Sequence, residues 1–163
     1  MKSFYFGGQK SGKSSCASKK ALMLASSKPY YIATYDNSYE DKAMQDRVNR
    51  HIKQRAEEFI TIEEPKDLTK VIKENQTYLI DCMTMYILNN LENGYEFMEK
   101  QLEKLFKIDC NIIFILNDIN NGVIPIDKYS REFVDISGLI GQFLAKNCDE
   151  VIEVKYSLER RLK

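Results

Sequence analysis

The sequence predicts a three-layer α/β sandwich, a mostly parallel sheet with helices on both faces. Short β-rich runs alternate with longer helical patterns along the chain, which is the order of a parallel sheet built from strand–helix–strand units. Two runs, "LID" at 79–81 through Leu79 and Ile80, and "NIIFIL" at 111–116 through Ile112–Leu116, are apolar on consecutive positions, as strands covered on both faces require. A glycine-rich stretch, "GGQKSGKS" at 7–14, stands between the first strand and the first helix.

Each element has its own warrant. "SFYF" (3–6) is aromatic and β-prone, and the glycines end it. Residues 13–26 then read as a helix. "YYIAT" (30–34) and "FITIE" (59–63) are strands rich in aromatic and β-branched residues, with a helix expected between them at 41–57. On that helix Arg47, His51 and Arg55 share one stripe, because residues four apart are surface neighbours. Met44, Val48 and Ile52 form the stripe beside it, the natural core face. A further helix is expected at 66–74. "TYLID" (77–81) is a strand, 95–107 a helix and 111–116 the central strand. "NNG" at 120–122 with Pro125 marks a loop. Phe133, Ile136, Ile140, Phe143 and Leu144 recur at helical spacing over 127–146, and "EVIEV" (150–154) is the last expected strand. The arginine pair in "ERR" (159–161) reads as a solvated end.

At 163 residues the chain is expected to be one domain, 1–163, large enough for a sizeable core. Lys plus Arg and Asp plus Glu number 24 each, so the formal charge is zero and no basic excess calls for a nucleic-acid partner. No apolar run approaches the ~20 residues of a membrane span, and "MKSFYFGG" has too short an apolar core for a signal peptide. Cys16, Cys82, Cys110 and Cys148 are widely spaced and form no C-x-x-C pair. They read as buried small residues rather than zinc ligands or a disulfide framework. A soluble, reduced, cytoplasmic protein is expected.

Residues 7–14 satisfy G-x-x-x-x-G-K-[ST] through Gly7, Gly12, Lys13 and Ser14. Glycines permit the backbone conformations that gather N–H groups around phosphate oxygens. The following helix start adds unpaired donors and the positive dipole end. Lys13 is placed to reach the outer phosphates, and the Ser14 hydroxyl to ligate Mg²⁺. A chain of this length matches the pattern by chance on the order of one time in two hundred. The fold expectation is therefore that of P-loop NTPases, with ligands at the carboxyl ends of the strands, in the loops after 6, 34, 81 and 116. An acid for the metal should end a nearby strand. Asp81 and Asp118 are the candidates, with Asp81 preferred. Helix or turn capping is the competing reading for both.

These pieces occur in an order that resembles the bifunctional adenosylcobinamide kinase / adenosylcobinamide-phosphate guanylyltransferase family of cobalamin biosynthesis, from Ser3 to about Val154. Gly7, Gly8, Gln9, Lys10, Ser11, Gly12, Lys13 and Ser14 stand in its phosphate loop, with Lys10 where arginine is usual. Tyr31, Ile32, Ala33 and Thr34 match its second strand. Met44, Arg47, His51 and Arg55 match a helix whose histidine becomes guanylylated. Thr61 and Glu63 follow in register, with Phe59 replacing a tryptophan. Asp81, Cys82, Thr84 and Asn89 match a strand end and the helix behind it. Asn117, Gly122, Ile124, Pro125, Arg131, Phe133, Asp135, Gly138 and Gln142 match its late loop and helix. Departures are Ala43 for glutamate, Asp118 and Asn120 for a glutamate and a glycine, Val134 for arginine and Gly141 for asparagine. The tail "KYSLERRLK" lacks the usual glycine–proline element.

The resemblance implies ATP and GTP as substrates, with adenosylcobinamide and its phosphate as acceptors, Mg²⁺ at Ser14 and Asp81, and a homotrimer. It implies His51, Lys13 and Asp81 as catalytic residues, and nucleotide contacts from residues 7–14 with Thr34, Arg47, Arg55, Glu63 and Asp81. The residues alone leave two other readings open: another small-molecule P-loop kinase, for which the Arg–His–Arg stripe is plain surface, and a non-catalytic nucleotide binder.

Overall fold

The computed structural model describes residues 1–36, 57–120, 122 and 124–163. The expected helix over 41–57, with Arg47, His51 and Arg55, lies outside the described residues but for Glu57. The described chain forms a seven-stranded sheet flanked by helices. Its elements are β1 (Lys2–Gly7), α1 (Lys13–Leu24), β2 (Tyr30–Ala33), β3 (Ile60–Glu63), β4 (Thr77–Asp81), α2 (Met83–Asn89), α3 (Gly94–Lys107), β5 (Asn111–Asn117), α4 (Lys128–Asn147), β6 (Glu150–Lys155) and β7 (Leu158–Arg161). The strand order is β3-β2-β4-β5-β1-β6-β7. All pairings are parallel except β6 with β7. The expected α/β sheet is therefore present, and β1 lies inside it between β5 and β6.

Period-two alternation divides the strands between two cores, one on each face. Phe4, Ile32, Tyr78, Ile80, Ile112, Phe114 and Leu116 pack with Met83, Tyr86, Leu102, Leu105, Ile140 and Leu144 from α2, α3 and α4. Tyr5, Tyr31, Leu79, Ile113, Ile115 and Ile152 face the other way, against Cys16, Ala17 and Ala21 of α1. Small residues on that helix let its axis come close to the sheet. Both faces of β5 are thus covered, which explains why its sequence is apolar without a break.

Two expectations are corrected. The segment 66–74 forms only a 3-10 turn at Leu68–Lys70. Glu64 Oε1 accepts from the backbone of Lys66 and Asp67, and Asp67 Oδ1 from Thr69, so side chains supply the turn that helix bonds would have made. The Lys73 N–H donates to the Tyr78 hydroxyl at 2.9 Å, which binds the next residues to β4 instead. The seven-residue α2 after β4 is the helix that the resemblance implied behind that strand end, although its own periodicity is too short to separate it from a strand. The "ERR" tail is not a loose end but the core of β7, an exposed strand antiparallel to β6.

At the amino edge, lysines satisfy carbonyls that helices and strands leave open. The Lys2 ammonium donates to Ile108 O and Cys110 O at 2.8 and 2.7 Å. Lys163 does the same for Lys146 O and Cys148 O at the end of α4. The carboxyl edge is left for the site.

Phe114 is fully buried and stacked on Phe106. Phe114→Ala should destabilise the chain by about 3–5 kcal/mol through lost transfer energy and the cavity left behind. A lower urea midpoint with an unchanged slope would show it.

Candidate active site

The first turn of the site is dictated by glycine. A Cβ at Gly7 would lie 2.2 Å from Val154 O and 2.8 Å from Ser11 Oγ, so only glycine lets β1 run this close to β6 before turning. Lys10 (φ 56) and Gly12 (φ 93) hold left-handed backbone, and the Ser11 N–H closes the loop onto Gly8 O at 3.2 Å. α1 then starts at Lys13 with Gly12 as its cap, no side chain bonded to its first turn and no acid within it. Its first donors therefore face the loop, the arrangement that binds anions. Lys13 is 7% exposed and arches back so that Nζ donates to Gly8 O at 3.1 Å. Gly8, Gln9 and Lys10 are exposed along the rim, and Ser14 is half-buried behind them. The sequence-expected loop thus forms as one unit.

Neighbouring strand ends are tied to it. Gly7 pairs in register with Asn117 of β5, and the Asp118 N–H donates to Gly7 O at 2.9 Å. Asn117 is held in turn from α2, its N–H donating to Thr84 Oγ1 at 3.0 Å. Asp81 ends β4, one strand further out, and a cis peptide joins it to Cys82. Burial, and then the Asp81 charge, push the Cys82 thiol up.

Thr34, just past β2, is fully buried. Its hydroxyl donates to Cys82 O at 2.7 Å and accepts from the Cys82 N–H at 2.9 Å. The Asn89 amide donates to Thr34 O at 2.7 Å and Pro65 O at 3.0 Å. One threonine and one asparagine therefore lash the ends of β2, β3 and β4 together. Glu63 is exposed at the end of edge strand β3, separated from β1 by β2, β4 and β5.

The late loop and the start of α4 are also tied down. Asp127 caps α4 by accepting from the Ser130 N–H at 2.8 Å. Arg131 Nη1 donates to Pro125 O at 3.2 Å and to Ile126 O. Gly138 leaves room for Asn120, whose Nδ2 would lie 2.7 Å from a Cβ placed there.

Sequence reading missed the flank supplied by the β6–β7 turn. The Ser157 N–H donates to Ser11 O at 2.7 Å, and a Cβ on Gly12 would stand 2.4 Å from Ser157 Oγ. No glycine or asparagine marks that turn, so the usual hairpin signal is missing. His51, Arg47 and Arg55 lie outside the described residues, on the segment between Asp36 and Glu57.

Among the described residues no group of three or more His, Cys, Asp or Glu is placed to hold a metal. Ser14 and Asp81 supply a hydroxyl and a carboxylate. These hard oxygen donors suit Mg²⁺ held mainly by phosphate oxygens and water. No helix among the described residues is long and apolar enough to cross a membrane.

A family model for cobinamide kinase / cobinamide phosphate guanyltransferase matches residues 3–161. The chain is 31% identical over 162 residues to the bifunctional adenosylcobalamin biosynthesis protein CobP of Pseudomonas aeruginosa, covering 93% of this chain and 91% of that one. It is 29% identical over 167 residues to the bifunctional adenosylcobalamin biosynthesis protein CobU of Escherichia coli, covering 89% and 90%.

Two outcomes are expected. Thr34→Val keeps shape but strands the Cys82 N–H and carbonyl, and should destabilise by about 1–3 kcal/mol in urea unfolding. The four thiols are all raised by burial first, that of Cys148 to about 12. A raised thiol keeps its proton above the ordinary range, so little thiolate forms at pH 8. The native chain should resist a disulfide reagent there, and denaturant should release all four cysteines to it.

Proposed function

The chain belongs to the cobinamide kinase / cobinamide phosphate guanyltransferase family, and from that premise we propose how its residues divide the two transfers. It is a transferase of cobalamin biosynthesis, a cobinamide kinase and a cobinamide-phosphate guanylyltransferase. The observation that carries the residue assignment is the glycine-rich loop, with buried Lys13 arched across it at the head of α1, where no side chain caps the first turn.

In the kinase step the loop N–H groups and Lys13 hold the triphosphate of ATP or GTP. The hydroxyl of adenosylcobinamide attacks the γ-phosphorus, the bond to the β-phosphate oxygen breaks, and ADP or GDP leaves. Asp81 is assigned the hydroxyl proton, and with Ser14 it is the proposed ligand pair for Mg²⁺. When bound there, that ion neutralises charge on the transferring phosphates. Residues 7–14 hold the phosphates. Thr34 acts by keeping the end of β2 against that of β4, and Glu63 is assigned to the nucleotide from the end of β3.

In the second step neutral His51 attacks the α-phosphorus of GTP and pyrophosphate leaves, so that GMP is held through a P–N bond. A phosphate oxygen of adenosylcobinamide phosphate then attacks the same phosphorus, the P–N bond breaks, and adenosyl-GDP-cobinamide forms with His51 restored. Dividing one displacement into two is nucleophilic catalysis. Arg47 and Arg55, four residues to either side, disfavour imidazolium and stabilise the shifting phosphate charge. These three roles rest on the helical stripe in the sequence and on family membership. A homotrimer and a cytoplasmic setting complete the proposal. Four free cysteines suit the reducing conditions of that compartment.

Incubation with Mg²⁺ and GTP should add the mass of one GMP, mapped to residue 51. His51→Ala should lose labelling by α-labelled GTP and keep substantial phosphorylation of cobinamide; equal labelling would remove His51 from the mechanism. Lys13→Ala should lower kcat/KM of both transfers by about 10²–10³-fold, and undiminished turnover would break the loop assignment.

A further inference from the structure

The approach to α4 is fastened along its backbone yet presents apolar side chains to water. Arg131 Nη1 donates to Pro125 O and Ile126 O, and Asp127 caps α4 by accepting from the Ser130 N–H at 2.8 Å. These bonds hold the backbone from Pro125 to Asp127 in place. Ile124 is nonetheless 77% exposed, Ile126 96% and Tyr129 54%. A single exposed isoleucine needs no explanation. Three large apolar groups between positions 124 and 129, on backbone ordered by a guanidinium and a carboxylate, form a prepared contact surface.

Its place in the fold indicates what it meets. The connection from β5 to α4 starts at Asp118, whose N–H donates to Gly7 O at 2.9 Å, so it begins against the phosphate loop. That loop runs into α1, which packs on one face of the sheet; the connection runs into α4, which packs on the other. With the nucleotide assigned to Gly7–Ser14 and Glu63, the α4 side of the carboxyl edge is left to the acceptor. We propose that Ile124, Ile126 and Tyr129 receive the corrin macrocycle of cobinamide while its hydroxyl arm reaches the γ-phosphate. A corrin is a broad ring system, largely hydrocarbon between amide-bearing arms, and the reacting hydroxyl lies at the end of one arm. Contact remote from the reacting atoms then supplies affinity and orientation for the acceptor. The inference rests on the cobinamide kinase reading of the site.

The test is phosphate transfer from ATP to adenosylcobinamide by the full chain with Mg²⁺. Ile124→Ser combined with Ile126→Ser should raise KM for adenosylcobinamide about tenfold through lost apolar contact. KM for ATP, the melting temperature and the sedimentation coefficient should stay native, because both side chains are exposed. Ile124→Leu with Ile126→Leu should keep the native KM for the acceptor. An unchanged KM for adenosylcobinamide in the serine variant would overturn the proposal. An equal rise in KM for ATP would do the same, since the loop would then serve the nucleotide. So would a changed sedimentation coefficient, which would make the patch a contact between copies of this chain. If the native chain binds ATP by calorimetry but phosphorylates no cobinamide, the kinase reading fails and the docking surface fails with it.

Discussion

The site depends on how closely β1 is held by its two neighbours. On one flank the Asp118 N–H takes the carbonyl of Gly7; on the other the Ser157 N–H takes that of Ser11. Between them Gly7 passes so near Val154 that no side chain fits. A loop rich in glycine is conformationally loose by nature, and an anion site needs its donors aimed before the anion arrives. The two stitches supply that order from outside the loop. They add to the bonds that Ser11 and Lys13 make to Gly8 O within the loop.

The remaining strand ends are secured by a different device. β2 and β3 are short and lie toward one edge, with β4 between them and the centre, so few ladder bonds define where they stop. Thr34 and Asn89 make up for this with hydrogen bonds that cross from one strand end to the next. Their groups are held away from water, where a missing partner is expensive, so the contacts are maintained. Asp81 is thereby presented at a defined level of the edge, one strand beyond β5. The segment that bears His51 is entered after Thr34 and left before Phe59, so its two roots belong to this braced corner of the sheet.

Much of this could be read from the chain. Unbroken apolar runs identified β4 and β5, because strands buried on both faces admit nothing else. The loop at 7–14 declared itself through residue types that few structures besides a phosphate cradle require at that spacing. Family likeness then extended the assignment to Thr34, Asn89 and Arg131, but said nothing of what each one touches. Coordinates assign Thr34 to Cys82, Asn89 to two carbonyls, and Arg131 to the backbone of Pro125 and Ile126. The segment 66–74 misled, since its helical spacing competes with carboxylates that bond locally to the backbone.

Sequence by itself determined the layering, the glycine-rich loop at 7–14 and the family, because these follow from local spacing and from side-chain chemistry carried in a few consecutive residues. Only the tertiary structure decided that the tail from Leu158 to Arg161 returns as a strand, and that Ser157 comes to rest against Gly12. About 145 positions separate those residues along the chain. Their meeting is set by the order of strands in the sheet, a property that no single stretch of residues encodes.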